Sequence, residues 1–209
     1  MRIIMAIMSR PSKNIDNKLL GLGKKWMETR GLSSLNVRSI CKSANVNLGM
    51  FVYYFKSKKN FLRIIVKNFF DDIEKEWVDL VVDISDPLEK LKKAILQQCN
   101  CIKRKRKTIE SIFKGINITD DFYRKIFHQF QEKHYKFYSH LIEACIEKNC
   151  FSKEIEKAEL FAIIVGSVSL YAKTMILEKP KARENYEIRL NKLFDVIVGK
   201  IVGKGGEQE

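Results

Sequence analysis

Residues that break helices are scarce in this chain, and that scarcity constrains its fold more than any other feature. The 209 residues include only 3 prolines and 10 glycines. No segment bounded by turn residues alternates strongly between polar and apolar side chains, as a half-buried strand would. Because 45% of the residues are hydrophobic, the chain can also bury one or two sizeable cores. We therefore predict an all-α protein.

Apolar spacing and capping residues predict about nine helices. Asn36, Asn47, Ser57 and Asp86 each stand where a helix should begin, since their side chains accept hydrogen bonds from the first free backbone N–H groups. Gly31 should end the first helix in a left-handed conformation, and Pro180 should separate the last two helices. The predicted helices cover residues 18–30, 37–43, 48–55, 57–82, 86–106, 109–114, 120–148, 154–178 and 185–202.

Positive charge is concentrated at the N-terminus. The first 60 residues hold 12 lysines and arginines and 2 acidic residues, a net charge of +10, whereas the other 149 residues hold 27 and 23, a net charge of +4. Such asymmetry indicates a basic module that meets a polyanion, joined to a nearly balanced body. We divide the chain accordingly into a domain at 10–60 and a second domain at 61–209.

Two short predicted helices, 37–43 and 48–55, are joined by the turn Ala44-Asn45-Val46-Asn47. This arrangement is typical of a helix-turn-helix, whose second helix enters the major groove of DNA. The run from Asn36 to Lys58, NVRSICKSANVNLGMFVYYFKSK, resembles the DNA-binding domain of TetR-family transcriptional regulators. The resemblance covers about residues 15 to 65. Asn45 stands where the family usually has Gly, and Val52 stands where it usually has a Tyr that touches phosphate.

The resemblance implies a three-helix DNA-binding domain followed by a helical domain for ligand binding and dimerisation. It also implies that Lys58 holds a DNA phosphate and that Arg38 reaches a base or phosphate. The recognition helix offers apolar side chains and Gly49 in place of Arg, Gln or Asn, so we expect readout of thymine methyl groups in an A/T-rich operator. The predicted DNA-binding residues are Asn36, Arg38, Asn47, Leu48, Gly49, Met50, Tyr53, Tyr54 and Lys58.

The second domain carries two further expectations from the same resemblance. Small residues at four-residue spacing and an apolar stripe on the last helix are expected to form the interface of a homodimer. Its predicted residues are Ala158, Ala162, Gly166, Leu190, Leu193, Phe194, Ile197 and Ile201. An apolar ligand cavity is expected among the middle helices, with the candidates Phe113, Phe127, Phe130, His134 and Phe137. Each set could instead be ordinary core, and for His134 the sequence favours a core histidine.

The sequence offers little evidence for other kinds of site. The uncharged stretch 160–172 is shorter than the roughly 20 residues of a membrane span, and the N-terminal apolar run is too short for a signal peptide. We expect a cytoplasmic chain whose five cysteines are reduced. The spacing of its histidines and cysteines predicts no metal site, and no catalytic or cofactor motif occurs. The basic run 103–107 is interpreted as a solvated helix end.

These observations predict a transcriptional regulator and not an enzyme. We expect a repressor that binds a palindromic operator of double-stranded DNA as a homodimer and is released by a small apolar effector. The alternative within DNA binding is an architectural or nucleoid-associated protein without a ligand. A helical carrier or enzyme with an incidental basic N-terminus is a third class, which the helix-turn-helix motif disfavours.

Overall fold

The computed structural model describes residues 14–79, 81, 83–117, 119–177 and 185–202. Over these residues the chain forms nine α-helices, one π-helical segment and no strand, which confirms the all-α prediction. The α-helices are α1 (Ile15–Arg30), α2 (Val37–Ala44), α3 (Leu48–Phe55), α4 (Lys58–Asp79), α5 (Pro87–Gly115), α6 (Asp121–Glu147), α7 (Lys157–Leu160), α8 (Ser167–Leu177) and α9 (Tyr186–Val202). The π-helical segment, Phe161–Gly166, joins α7 to α8.

Helix starts follow the predicted capping residues. The Asp86 carboxylate accepts a hydrogen bond from the Glu89 backbone N–H at 2.8 Å, with Pro87 as the first helical residue. The Ser57 hydroxyl accepts one from the Asn60 backbone N–H at 3.1 Å, at the start of α4. These bonds satisfy backbone donors that have no partner within the first turn of a helix.

The predicted helix 154–178 begins at Lys157 and is interrupted by the π-helical segment, and the predicted boundary between 106 and 109 is wrong. The helix from Pro87 does not stop near Arg106 but continues to Gly115, and so absorbs the predicted segment 109–114. No Pro or Gly interrupts it there, Thr108 and Ile112 are buried, and Arg106 pairs with Glu110 one turn later at 2.6 Å. The basic run 103–107 therefore lies inside α5 and not at a helix end. Its Arg104 and Lys105 pair with Glu76 of α4.

The buried side chains form two clusters. The first joins α1 to α4 and extends along α4 to α5 and α6, and its members include Leu19, Ile40, Phe51, Phe61 and Trp77. The second lies between α5, α6, α8 and α9. The first cluster runs along α4 from the N-terminal helices into the body. A displacement of α4 would therefore disturb the packing of both of these regions. Four of the five cysteines are buried, and all five are free thiols.

The segment Lys157–Met175 meets two criteria of a membrane span, length and mean hydropathy, but core helices of many proteins meet them too. Ile164, Val165 and Val168 of this segment pack into the second cluster, and about a third of the segment is buried. Its opposite face is apolar and exposed. The predicted break at Pro180 and the chain beyond Val202 lie outside the described residues.

Candidate nucleic-acid interface

Three asparagines shape the turn between α2 and α3. The Asn36 side chain accepts a hydrogen bond from the Ser39 backbone N–H at 3.0 Å, and the Asn47 side chain accepts one from the Met50 backbone N–H at 2.9 Å. Asn45 adopts φ 57° and ψ 47°, the left-handed conformation that Gly usually supplies and that Asn tolerates. Both predicted caps are confirmed. The residue that departs from the family pattern at 45 therefore preserves the geometry of the turn.

Aromatic packing fixes the orientation of α3. The rings of Phe51 and Phe55 lie 5.0 and 4.7 Å from the ring of Phe61 on α4, and all three side chains are buried. On α1, Gly23 lets α4 approach closely, since a Cβ at that position would stand 2.5 Å from Cδ1 of Ile65. α3 is thus held on one side, and its other side is free to contact a partner.

The outward edge of α3 is apolar. Leu48 is 46% exposed, Val52 48% and Tyr53 57%. Gly49 is exposed beside them, and a Cβ at that position would lie 3.2 Å from Oδ1 of Asn47. Exposed side chains of this size in a row mark a binding surface more often than a plain solvated face. Met50 and Tyr54, also predicted to face DNA, are half-buried.

Val52 is a surface residue that the sequence analysis missed as a contact. It stands one turn after Leu48, so the four-residue spacing placed both on the same edge. With Leu48, Gly49 and Tyr53 it defines what we call the recognition edge.

Exposed cations stand on the helices that precede and follow α3 in the chain. Arg38 and Lys42 of α2 and Lys58 at the start of α4 are exposed, and none of the three makes an ion pair with any residue that the structure describes. Lys56 lies over the ring of Tyr53, with its ammonium nitrogen 5.6 Å from the ring centre. The N-terminus of α4 beside Lys58 adds backbone N–H groups that favour an anion.

Other N-terminal lysines are already engaged. Lys18 donates a hydrogen bond to the Ala44 carbonyl oxygen at 2.7 Å, where it stabilises the C-terminus of α2. Lys24 pairs with Asp72 of α4, and Lys59 pairs with Asp120 at 2.9 Å. The surplus charge seen in the sequence is therefore divided between cations that hold this domain together and cations that remain available to a ligand.

Structural comparison now places this arrangement among known proteins. A transcriptional regulator from Cytophaga hutchinsonii aligns with 91% of this chain and 98% of its own at a TM-score of 0.69 and 16% identity. The regulatory protein TetR from Rhodobacter sphaeroides aligns with 86% of this chain and 98% of its own at a TM-score of 0.61 and 19% identity. A TetR-family regulator from Syntrophomonas wolfei aligns with 91% of this chain and 94% of its own at a TM-score of 0.57 and 17% identity.

The chain has the TetR-family fold. Sequence comparison agrees, because 83 residues are 31% identical to the HTH-type transcriptional repressor KstR2 of Mycolicibacterium smegmatis. That alignment covers 40% of each chain. No protein-family model matches the chain. The resemblance that residues 15 to 65 suggested is confirmed, and the fold extends it to the rest of the described chain.

Within this TetR-family fold, the predicted cavity residues meet along a seam of aromatic rings between α4, α5 and α6. Phe113 is 47% exposed and stacks on Phe127, with 5.2 Å between ring centres. Phe130 and His134 both pack on Trp77 of α4, and Phe130 borders a cleft of only 60 Å³. The rings are packed against one another, so their assignment to a ligand site stays a prediction.

The predicted dimer surface needs correction. Leu190 and Phe194 are 0% and 2% exposed within one chain, so they belong to its core and are not available to a second chain. Helix α9 turns other apolar residues outward, including Ile188 at 67% and Val196 at 51% exposure. Leu193, Ile197 and Ile201 are half-buried, whereas Ala158, Ala162 and Gly166 are exposed. What we call the outer face of α8 and α9 consists of exposed residues on α8, on α9 and on the segments that lead into α8. Its members are Ala158, Ala162, Ile163, Gly166, Leu170, Ile188 and Val196, and Leu170 is 67% exposed.

Proposed function

We propose that this chain is a transcriptional regulator, a repressor, that binds a palindromic operator as a cytoplasmic homodimer and is released by a small apolar effector. The observation that carries the proposal is the recognition edge of α3, apolar, outward-facing and bordered by unpaired cations. Such a surface matches the major groove of duplex DNA, with thymine methyl groups inside and phosphates at its borders.

The recognition edge favours A/T-rich sequence. Leu48 and Val52 are placed to contact methyl groups, and Gly49 lets the backbone approach the base edges. The edge carries no Arg, Gln or Asn to fork onto a base. Arg38 and Lys58 then supply phosphate contacts, which set the position and much of the affinity but read little sequence.

Dimerisation follows from the outer face of α8 and α9. Exposed apolar side chains on neighbouring helices are typical of a protein interface, and two such helices from each chain would form a four-helix bundle. Gly166 and Gly199 favour close approach, since a Cβ at Gly199 would meet nothing within 4 Å of its own chain. A two-fold dimer presents two recognition helices, as a palindromic operator requires.

Release by an effector needs a connection between the body and the DNA-binding helices. Two contacts provide it: the Ser111 hydroxyl of α5 accepts a hydrogen bond from the Leu32 backbone N–H at 2.6 Å, and Asp120 holds Arg63 of α4 at 2.8 Å. An effector that binds better to a body conformation in which these contacts shift would change the spacing of the two recognition helices. One that binds both conformations equally would have no effect.

The proposal is tested by selecting binding sites from random duplex DNA and measuring affinity by gel shift. We expect an A/T-rich palindrome, and we expect Arg38→Ala with Lys58→Ala to weaken its binding at least about tenfold, as loss of several phosphate contacts should. The control, Lys148→Ala with Lys153→Ala, removes the same charge from exposed positions at the far end of α6 and should bind normally. Unchanged affinity in the first double variant would refute the assigned DNA face, and a selected site dominated by G·C pairs would refute the methyl readout.

A further inference from the structure

A chain of polar side chains crosses the apolar core of the body. Nε2 of His134 on α6 lies 3.0 Å from Oε1 of Gln98 on α5, and Nε2 of Gln98 donates a hydrogen bond to the Ser169 hydroxyl on α8 at 3.3 Å. Gln98 and Ser169 are 6% and 9% exposed. Burying polar side chains costs free energy, whereas burying apolar side chains in the same place does not. A hydrogen-bonded chain of polar side chains that links three helices therefore requires an explanation.

Two donors beside this chain have no partner. The hydroxyl of Tyr138 and Nε1 of Trp77 are buried, and neither forms a hydrogen bond to any residue in the described part of the protein. Tyr138 is 0% exposed and Trp77 5%. Their rings pack on His134 from two helices, with ring centres 4.9 and 5.1 Å from that of His134. An unpaired buried donor is rare in folded proteins, and here there are two around one ring.

The irregular part of the fold adjoins the same residues. Phe161 begins the π-helical segment and places its ring 5.7 Å from that of His134 and 6.4 Å from that of Tyr138. The π-helical turns are uncommon and concentrate at functional sites. Phe161 is only half-buried, so this side of the group of rings lies near the protein surface.

We propose that Trp77, Gln98, His134, Tyr138, Phe161 and Ser169, the His134 cluster, form the effector site, and that the effector is an uncharged, ring-sized apolar molecule bearing a carbonyl. The aromatic rings, which pack on one another in the structure, move apart to bind its apolar part, and the Tyr138 hydroxyl donates a hydrogen bond to the carbonyl oxygen. This inference rests on the proposed function, since it names the chemistry of the molecule that releases the DNA.

The surroundings argue for an uncharged effector. Burial, with a smaller contribution from Lys173, lowers the pKa of His134 to about 4, so its ring is neutral at pH 7. Burial raises the pKa of Tyr138, which stays a neutral donor. Lys173 itself is exposed. A carboxylate in the His134 cluster would therefore lack a buried cation and would lose its hydration without compensation.

Three probes of similar size test the inference: acetophenone, ethylbenzene and benzoate. The chain has two tryptophans, so Trp26→Phe in the full-length protein leaves the indole N–H of Trp77 as a single nuclear magnetic resonance signal. We expect acetophenone to shift that signal and to bind about tenfold more tightly than ethylbenzene, because one additional hydrogen bond is formed. Benzoate should bind more weakly than acetophenone. Failure of acetophenone to move the signal, or tighter binding of benzoate, would overturn the proposal.

A pair of tyrosine variants locates the donor. Tyr138→Phe removes the unpaired hydroxyl and keeps the ring, so we expect a melting temperature no lower than that of the parent and loss of most of the preference for acetophenone over ethylbenzene. Tyr135→Phe changes an exposed tyrosine on the same helix and should keep the preference. If Tyr138→Phe keeps it too, Tyr138 is not the donor and the assigned site is wrong.

The same probes separate this inference from the proposed function. Binding of acetophenone that leaves operator affinity unchanged would support the site and refute release by an effector. If none of the three probes shifts the Trp77 signal while the operator is bound normally, the effector site is refuted and the DNA-binding function is not.

Discussion

The half-buried ring of His134 predicts a specific loss of stability in mild acid. Burial in the body holds the pKa of this imidazole at about 4, below its ordinary value of 6.5. Between these two values the unfolded chain binds a proton that the folded chain excludes, so stability must fall as the pH falls from about 6.5 to about 4. Linkage over that shift gives a loss of about 2 kcal/mol between pH 7.5 and pH 5 from this residue alone.

The assay is urea unfolding followed by circular dichroism at pH 7.5 and pH 5, with wild type compared with His134→Gln. The Gln amide nitrogen replaces Nε2 near Gln98 but does not titrate, so we expect this variant to lose about 2 kcal/mol less than wild type between the two pH values. His128→Gln, at an exposed position on the same helix, is the control and should follow wild type. A variant at 134 that loses as much stability as wild type would refute the reasoning.

Three further predictions concern packing, ion pairing and assembly. Gly23→Ala places a Cβ 2.7 Å from Cζ of Phe61 and should destabilise the fold by about 1–2 kcal/mol in urea unfolding. Gly21→Ala, whose Cβ would meet nothing within 4 Å, should stabilise the fold by about 0.5–1 kcal/mol. Equal effects of the two substitutions would contradict the packing of α1 on α4. The Lys59 ammonium, with Arg63, lowers the pKa of Asp120 from 3.8 to about 2, so the stability that this carboxylate contributes should be lost as the pH falls from 3.8 towards 2. Thermal melts of Asp120→Asn should lack that pH-dependent loss, and a variant that keeps the pH dependence of wild type would contradict the assignment. Leu170→Glu should convert a dimer to a monomer in analytical ultracentrifugation, and a dimer that persists would exclude the outer face of α8 and α9 as the interface.

Local chemistry made the DNA-binding helices predictable from the sequence. Capping by Asn36 and Asn47, the left-handed Asn45 and the Gly31 stop at φ 87° depend on residues adjacent in the chain, so each could be derived without knowledge of the fold. The structure confirms the caps at Asn36 and Asn47 and the end of α1 at Gly31, which has a positive φ but, with ψ 153°, not the left-handed helical conformation.

Long-range packing was harder to predict. An apolar stripe shows that a helix face is buried but not against what, and so Leu190 and Phe194 were assigned to a dimer although they pack inside one chain. The continuity of α5 was not predicted because a run of five basic residues is typical of a helix end. The ion pairs of Arg104 and Lys105 with Glu76 of α4 depend on how the two helices pack, which the sequence does not show. The unpaired hydroxyl of Tyr138 could not be predicted from the sequence, because it depends on whether the neighbouring helices place a hydrogen-bond acceptor beside it.

The central claim, that unpaired cations beside α3 bind duplex DNA, is tested most directly by the salt dependence of operator binding. We predict a steep linear fall of log K with log salt concentration in wild type, and a slope shallower by roughly 2 for each bound protomer when Arg38 and Lys58 are both changed to Ala. The Lys148→Ala and Lys153→Ala control should keep the wild-type slope. If the first double variant keeps both the slope and the affinity of wild type, the DNA face lies elsewhere and the account is wrong.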